Sequence, residues 1–224
     1  MELTAAALSL NTIFAGYDEA LLGLMHRLAG SAGGILTPLC KLITLLGEKG
    51  LLFFAVSIAL MLFPKTRRAG VCMFGAVCCG ALITNVILKD AIARPRPFEA
   101  SELFRGYWTA VGSPAEDGFS FPSGHVTAAA AGMVSLCLSR GRKWVLPTVV
   151  WVLVMAFSRN YLMAHYPSDV LAAAIIGALS AVIAWGVTKL IFRLLEKYDG
   201  SPFCAFVLDF DPRQMKYAMY RGKH

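Results

Sequence analysis

The chain is built from apolar runs separated by short polar segments. Several runs are shorter than the ~20 residues that a helix needs to cross a bilayer, so we expect their helices to continue into the flanking polar residues. This pattern predicts an all-α fold, a polytopic membrane bundle of about six transmembrane helices. The apolar runs cover residues 33–46, 51–63, 69–88, 126–138, 144–157 and 170–192.

Residues 12–29, before the first run, mix charged and apolar side chains. Their apolar positions recur at helical spacing, which favours an amphipathic helix lying at the membrane interface. After the last run, residues 198–224 contain no apolar stretch long enough to span. We therefore expect a membrane-embedded domain over residues 1–197, followed by a cytoplasmic C-terminal tail. The apolar positions of the amphipathic segment are Leu21, Leu24, Met25 and Leu28.

Composition agrees with a membrane protein. Apolar residues make up 57% of the chain and charged residues 16%, whereas about a quarter of the residues in a soluble domain are charged. The net charge of +7 is interpreted through membrane topology, because no basic patch interleaved with aromatic residues suggests nucleic-acid binding. The six cysteines show no C-x-x-C and no zinc-type spacing. They are interpreted as small buried hydrophobes outside any disulfide framework.

Basic residues separate the two faces of the predicted bundle. The turns after the second and fourth runs carry lysine and arginine, as does the tail, and they share one face if the spans alternate. The positive-inside rule makes that face cytoplasmic. It places both termini in the cytoplasm and the remaining polar motifs on the outer face. The basic residues are Lys65, Arg67, Arg68, Arg140, Arg142, Lys143, Arg193, Lys197, Arg213, Lys216, Arg221 and Lys223.

Residues 158–169, SRNYLMAHYPSD, place an arginine, a histidine and an aspartate between two apolar runs. Charged groups at a membrane edge are costly and mark a functional site by default. His165 and Asp169 are four residues apart, a spacing that places both side chains on one face of a helix. An aspartate held against one imidazole nitrogen fixes the tautomer and leaves the other nitrogen free to attack or to ligate.

Two earlier motifs reach the same predicted face, residues 89–97 (KDAIARPRP) and residues 121–125 (FPSGH). Lys89, Arg96 and Arg159 would then converge on one site. Arginine offers phosphate oxygens a planar fork, and lysine supplies a point charge. Three cations would also repel a divalent metal, which argues against a metal site made of two histidines and one aspartate.

Other polar residues of these segments allow two interpretations. Ser123 and Gly124 stand at the start of a helix, where free N–H groups bind an anion or where Ser123 acts as a plain cap. Arg94 and Arg105 are interpreted as helix-end side chains that snorkel to the interface. The aromatic residues of the long loop, residues 90–121, either form a lid over the site or simply lie at the membrane edge.

In order along the chain, the motifs K-x6-R-P, P-S-G-H and S-R-x5-H-x3-D resemble those of the type 2 phosphatidic acid phosphatase family. That family shares its site with the vanadium-dependent haloperoxidases. The resemblance implies that His165 attacks phosphorus and forms a phosphohistidine, that Asp169 orients it, and that His125 protonates the leaving oxygen. It implies no metal and no cofactor. Ala164 stands where family members often carry glycine. The resemblance assigns phosphate binding to Lys89, Arg96, Ser123, Gly124 and Arg159.

The function that the resemblance implies is that of an integral lipid phosphatase, acting at the outer leaflet of a bacterial cell membrane. Undecaprenyl diphosphate is the favoured substrate, and phosphatidylglycerophosphate or phosphatidic acid is the alternative. A lipid phosphotransferase would use the same residues. A lipid-phosphate binding or transport module is the non-enzymatic alternative. The expected partners are the lipid substrate and membrane lipids, and the sequence does not indicate an oligomeric state.

Overall fold

The computed structural model describes residues 3–213, and every regular element in that range is helical. This confirms the predicted all-α class. Two single turns of 3-10 helix, Glu48–Gly50 and Arg142–Trp144, and a π-helical segment, Leu82–Leu88, join some of the α-helices. The α-helices are α1 (Ala5–Ile13), α2 (Ala15–Leu46), α3 (Leu51–Met61), α4 (Pro64–Ala81), α5 (Lys89–Ile92), α6 (Pro97–Ala100), α7 (Glu102–Ala110), α8 (Gly124–Arg140), α9 (Val145–Tyr161), α10 (Pro167–Lys197) and α11 (Pro202–Asp209).

Three largely helical stretches between residues 3 and 213 are long and apolar enough to cross a membrane: Ala15–Met61, Pro64–Ala100 and Pro167–Lys197. Large aliphatic side chains on the outer surface of the bundle are exposed, as lipid-facing positions are. The membrane character of the chain is thereby confirmed, and the count of six spans stays a prediction. Exposed aliphatic side chains include Ile35, Leu146, Leu153, Ile175 and Leu179.

Small residues bring the central helices into close contact. A Cβ atom at Gly177 of α10 would lie only 2.5 Å from the carbonyl oxygen of Thr127 in α8. A Cβ atom at Gly80 of α4 would lie 2.9 Å from the methyl group of the same threonine. Small residues at such positions let the backbones of membrane helices approach closely. This packing holds the start of α8 and the start of α10 at one end of the bundle, which we call the site end.

The predicted basic turns meet at the opposite end. Arg140, at the end of α8, donates from Nη1 to the carbonyl oxygen of Lys65 at 3.0 Å. Arg68 pairs with Glu196 near the end of α10. The turns after α3 and after α8 therefore share one face, as the charge pattern predicts.

The predicted tail is attached to this same end. Arg67 is buried, and its Nη1 donates to the carbonyl oxygens of Val207 and Leu208, each at 2.7 Å. These carbonyls belong to the last turn of α11, so α11 is held against the start of α4. Residues 214–224 of the tail lie outside the described residues.

The N-terminal helix α1 lies at the site end, which corrects the predicted topology. Thr4 Oγ1 donates to the carbonyl oxygen of Ile92 at 2.5 Å, and Asn11 Oδ1 accepts from Arg94 Nε at 2.8 Å. Helix α10 ends at Lys197 on the other side of the bundle. The two ends of the described chain therefore lie at opposite ends of the bundle, and the prediction that both termini share the face opposite the motifs is wrong.

Helix α2 explains this error. It joins the predicted amphipathic segment and the first apolar run into one helix, with a break at Ala32, where φ is −132° and ψ is 16°. Both halves contact the site end. Asp18 accepts from Arg94 Nη2 at 2.9 Å, and Thr44 Oγ1 accepts from Arg159 Nη1 at 3.2 Å. A helix that crossed the bundle would have its two ends at opposite faces. Helix α2 therefore does not cross the bundle, and the assumed alternation of spans does not hold for the first apolar run.

Candidate active site

A cavity of about 670 Å³ lies at the site end, where the π-helical segment, the start of α8 and the end of α2 meet the loop before α8. Most of the predicted site residues lie in its wall, and the others are fully buried beside it. The wall contains Lys89, Arg96, Gly124, His125 and His165. The buried neighbours are Ser123, Arg159 and Asp169.

His165 lies in the short loop between α9 and α10 and is 2% exposed. Its Nδ1 atom is 2.7 Å from the carbonyl oxygen of Ser120. Because a carbonyl oxygen can only accept, Nδ1 carries the proton and Nε2 keeps its lone pair. Burial, and then the charges of Arg96 and Arg159, hold the pKa of His165 well below its ordinary value. The ring is therefore neutral near pH 7, the form that a nucleophile requires.

The spacing predicts a direct contact in which Asp169 holds the imidazole of His165. The structure shows no direct hydrogen bond between the two side chains, since Asp169 Oδ2 is 4.0 Å from His165 Nδ1. The same oxygen accepts from Ser120 Oγ at 2.5 Å and from the backbone N–H of Tyr166 at 3.0 Å. Asp169 therefore acts on the imidazole through Ser120, whose carbonyl oxygen holds the ring.

Arg94 is part of the site, which corrects its interpretation as a snorkelling side chain. It is 1% exposed. Its Nη1 donates to Asp169 Oδ1 at 2.5 Å and to Ser168 Oγ at 2.8 Å, and its Nη2 donates to Asp18 Oδ2 at 2.9 Å. Asp18 also accepts from the backbone N–H of Ser168 at 2.8 Å. This buried network ties α2 to the start of α10 and holds Asp169 in place.

Arg96 organises the loop before α8. Its Nε donates to the carbonyl oxygen of Gly118 at 2.9 Å and its Nη2 to that of Asp117 at 2.7 Å. Its Nη1 donates to the carbonyl oxygen of Ala164, beside His165, at 2.8 Å. One guanidinium group thus connects the loop to the residue that precedes the predicted nucleophile.

Glu116, in that loop, lies between two of the predicted phosphate-binding side chains. One carboxylate oxygen is 3.1 Å from Arg96 Nη1, and the other accepts from Arg159 Nη2. Arg159 is fully buried in α9. The sequence does not single out Glu116, because a carboxylate in a polar loop matches no motif.

Within the described residues, several polar atoms at the cavity are buried and make no hydrogen bond. Ser123 makes no side-chain cap to α8, so the capping interpretation is not supported by its contacts. His125 Nε2 is 3.4 Å from Glu48 Oε2, too long for a good hydrogen bond. Buried polar atoms normally have partners, so this group is suited to an anion with several acceptor oxygens. The atoms are Ser123 Oγ, His125 Nε2 and Arg159 Nε.

Lys89 follows directly after the π-helical segment Leu82–Leu88. A π turn holds one residue more than an α turn, and the helix resumes with Lys89 in the wall of the cavity. Among residues 3–213 the ammonium group has no hydrogen-bond or ion-pair partner in the structure. It therefore brings a positive charge to a wall that also contains Glu116, without a direct ion pair to that carboxylate.

The loop aromatics lie behind the site and do not cover it. Tyr107 stacks on His26 of α2, with ring centroids 3.9 Å apart, and Trp108 stacks on Phe98 at 4.5 Å. Phe104 makes edge contacts with Tyr107. None of these aromatic rings is in the described wall of the cavity. They brace α7 against α2 and, through Phe104 and Tyr166, against the loop that carries His165.

The donor set of the cavity suits phosphate better than a metal ion. A site made of two histidines and one aspartate would need Asp169 to reach the cavity, but both of its oxygens are bonded to Arg94, Ser120 and Tyr166. No group of three or more histidine, cysteine, aspartate or glutamate side chains between residues 3 and 213 is arranged to hold a metal.

A helical membrane bundle with two histidines and three cations around one cavity has the architecture of a membrane-bound phosphatase. Residues 67–193, more than half of the chain, match the family model described as the PAP2 superfamily. The chain belongs to this superfamily. The predicted family is thereby confirmed.

Curated relatives are named as lipid phosphatases. Undecaprenyl-diphosphatase BcrC of Bacillus subtilis is 30% identical over 163 residues, which cover 72% of this chain and 77% of that protein. Undecaprenyl-diphosphatase of Sulfolobus acidocaldarius is 30% identical over 124 residues, which cover 55% of this chain and 57% of that protein. The match thus spans little more than half the length of the archaeal relative. These names confirm the predicted enzyme class, phosphatase.

A solved structure shares the fold. The PAP2 type phosphatidylglycerolphosphate phosphatase from Bacillus subtilis superposes with a TM-score of 0.56 at 25% sequence identity. The superposition covers 84% of this chain and 98% of that one. The helical architecture described above is therefore that of a known transmembrane phosphatase.

Proposed function

We propose that this protein hydrolyses a lipid diphosphate, undecaprenyl diphosphate, through a phosphohistidine intermediate. The observation that carries this proposal is a pair of lysines in the cavity wall beyond the predicted phosphate-binding residues, in a wall that also contains Glu48, Glu116 and Asp117. Lys41 and Lys49 line the same cavity as Lys89 and Arg96, and within residues 3–213 neither of them has an ion-pair partner. A diphosphate carries more negative charge than a phosphate monoester and extends over two phosphoryl groups. The names of the two curated relatives support the same substrate.

In the first step, His165 Nε2 attacks the terminal phosphorus. An N–P bond forms as the bond from phosphorus to the bridging oxygen breaks, and His125 donates its proton to that oxygen. The cations balance the charge on the equatorial oxygens, which is the main contribution that a protein makes to phosphoryl transfer. Lys89 and Arg96 line the same cavity as His125 and disfavour a further positive charge there, so it is the negative charge of the bound substrate that favours the protonated form of His125.

In the second step, water attacks the phosphorus of the phosphohistidine. His125, neutral after the first step, accepts the proton of the water, and the N–P bond breaks so that its electron pair returns to His165 Nε2. The products are inorganic phosphate and the lipid monophosphate. The carbonyl oxygen of Ser120 keeps the His165 ring in one tautomer throughout.

The turn that follows α2 places Lys49 on the leaving-group side. Gly47 lies against the ring of His125, since a Cβ atom at Gly47 would be 3.4 Å from His125 Cδ2. Glu48 and Lys49 follow in the same turn, and both line the cavity. Because His125 protonates the bridging oxygen, the second phosphoryl group of a diphosphate would lie beside this turn, within reach of Lys49.

The substrate is tested with purified full-length protein in detergent and EDTA. We expect phosphate release from undecaprenyl diphosphate to exceed that from phosphatidylglycerophosphate and phosphatidic acid. The variant Lys41→Gln/Lys49→Gln should lower kcat/KM for the diphosphate by about tenfold and for phosphatidic acid by less than about threefold, because charge-assisted contacts to one phosphoryl group are lost.

Lys143→Gln, at the far end of the bundle, is the matched control and should behave like the wild type. A faster wild-type rate on phosphatidylglycerophosphate would assign the enzyme to that substrate. An equal loss on both substrates in the double variant would reject the second phosphate subsite. A requirement for one divalent ion would overturn the metal-independent mechanism.

We also propose that the site end faces away from the cytoplasm, since the basic turns lie at the other end. In a cysteine-free background, Ser113→Cys in the exposed loop before α8 should react with a membrane-impermeant thiol reagent in intact cells. Ser201→Cys, exposed beyond α10, should react only after lysis. The opposite labelling pattern would place the site, and hence the substrate, at the inner leaflet.

A further inference from the structure

Glu116 occupies the positions on two arginines that a phosphate group would use. Its two carboxylate oxygens contact Arg96 and Arg159 separately, so the carboxylate bridges the guanidinium groups. Both arginines are buried, at 2% and 0% exposure, and the Glu116 side chain is 11% exposed. A carboxylate and a phosphate present similar pairs of acceptor oxygens to arginine.

The remaining donors of these arginines are largely engaged by the protein. Arg96 gives Nε, Nη2 and one Nη1 hydrogen to the carbonyl oxygens of the surrounding loops. Arg159 gives Nη1 to Thr44, and its Nε makes no hydrogen bond to a described residue. The N–H groups of the two arginines that face each other across the site are therefore those that Glu116 holds.

We propose that Glu116 is an exchangeable carboxylate, which the terminal phosphate of the substrate displaces from the arginine pair and which thereby selects for dianionic phosphate groups. This proposal rests on the proposed function, because it assumes that the two arginines bind the phosphate. A terminal phosphate with two negative charges gains more from the cations than a carboxylate with one. A phosphodiester head group carries one negative charge, the same as the Glu116 carboxylate. Replacing Glu116 with such a group adds no electrostatic attraction to the arginines and leaves the carboxylate without its two partners.

Such selection has a use in a membrane. Phosphodiester lipids surround the protein at high local concentration, and a site whose cations had no counter-charge would bind them. The free energy of displacing Glu116 is the same for every ligand, so a ligand binds only if its own attraction to the arginines exceeds that cost. A phosphodiester with one negative charge offers a smaller attraction than a dianionic phosphate. The partner carboxylate also avoids leaving two buried arginines without a counter-charge.

The exchange requires movement of one side chain and not of the whole loop. The backbone on the C-terminal side of Glu116 stays attached, since the carbonyl oxygens of Asp117 and Gly118 accept from Arg96 Nη2 and Nε. Glu116 itself lines the cavity, so its carboxylate can turn toward the opening. Arg96 can thus keep the loop in place while its Nη1 changes partner from carboxylate to phosphate.

The test compares Glu116→Gln with the wild type as full-length protein in detergent. Orthovanadate, at a pH above the ionisation that makes it a dianion, is the first probe and phosphatidylglycerol is the phosphodiester probe, with binding measured by titration calorimetry at that pH. We expect Glu116→Gln to bind both probes about tenfold more tightly, because the internal competitor loses its charge. The gain should make phosphatidylglycerol binding measurable in Glu116→Gln, whereas the wild type should show none at the same lipid concentration.

Asp117→Asn removes a carboxylate from the neighbouring position, without touching an ion pair of either arginine, and controls for a general change in charge. Glu116→Asp keeps the charge on a side chain too short to bridge both arginines. It should bind vanadate with an affinity between the other two, and it carries the test if the glutamine variant does not fold. Weaker or unchanged vanadate binding in the folded Glu116 variants, or an equal gain in Asp117→Asn, would overturn the proposal.

These outcomes are separate from those of the proposed function. If the wild type releases no phosphate from any lipid while Glu116→Gln binds vanadate more tightly, the lipid diphosphatase assignment fails and the exchange at Glu116 stands. If the wild type is an active lipid diphosphatase and Glu116→Gln shows no gain for either probe, only the exchange is rejected.

Discussion

His165→Ala should lower phosphate release by at least about a thousandfold, because it removes the group that we propose forms the covalent intermediate. The structure leaves one nitrogen of this ring for the reaction, since Nδ1 is bonded to the carbonyl oxygen of Ser120. Initial rates on the best lipid substrate measure the loss. Wild-type protein quenched during turnover with labelled substrate should also carry acid-labile phosphate, and the variant should carry none.

The matched control is His26→Ala. His26 lies in α2, stacked on Tyr107, and does not line the cavity, so this variant should keep most of the activity. Retention of more than a few per cent of activity by a folded His165→Ala protein would show that another group attacks phosphorus. Trapped phosphate that survives the His165 substitution would lead to the same conclusion.

Arg94→Gln should be strongly destabilising as well as inactive. The substitution leaves Asp18 and Asp169, which are 3% and 0% exposed, without their shared cation. Removing one partner of a buried ion pair typically costs about 3–5 kcal/mol, which corresponds to a fall of roughly 10 °C in Tm for a chain of this size. Thermal unfolding in detergent, followed by circular dichroism, measures the change.

Arg105→Gln is the matched control for this prediction. Arg105 is half exposed and pairs with Glu102 in α7, so its loss should shift Tm by no more than about 2 °C. Adding Asp18→Asn to Arg94→Gln should recover part of the lost stability, because one of the two unpaired charges is removed. A Tm close to the wild type for Arg94→Gln, or no recovery in the double variant, would contradict the ionic role of the network.

The sequence predicts the cavity wall well because its residues stand at the ends of apolar runs. Lys89, His125 and His165 each follow or precede a hydrophobic stretch, where an ionisable side chain is conspicuous. The polar segments that end these runs lie on one face of a bundle and must therefore approach each other, whatever the details of packing. The composition of the runs in turn predicts the all-α class.

The supporting residues could not be predicted in this way. Arg94 looks like any arginine at a helix end, and its partner Asp18 is 76 residues away in the chain. Asp18 itself stands in a segment whose polar residues are those expected on the wet side of an amphipathic helix. Only the three-dimensional arrangement shows that this polar side faces the buried start of α10.

The motif also does not determine which hydrogen bonds its residues form. A four-residue spacing between His165 and Asp169 predicts proximity but does not distinguish a direct bond from one made through Ser120. The topology prediction failed for a related reason. Hydropathy shows that residues 33–46 are apolar, but it does not show that α2 bends at Ala32 and stays at one end of the bundle.

The π-helical segment before Lys89 has a consequence for how the length of this helix can vary. Helix α4 packs tightly through Gly80 against α8, so the face that it buries is set by the residues up to that point. An added residue in a regular helix would turn everything after it by about 100°, whereas a π turn absorbs one extra residue locally. The segment Leu82–Leu88 therefore separates the register of the packing face from the register of Lys89. An insertion or deletion in this segment can change the position of Lys89 without changing the face of α4 that packs against α8.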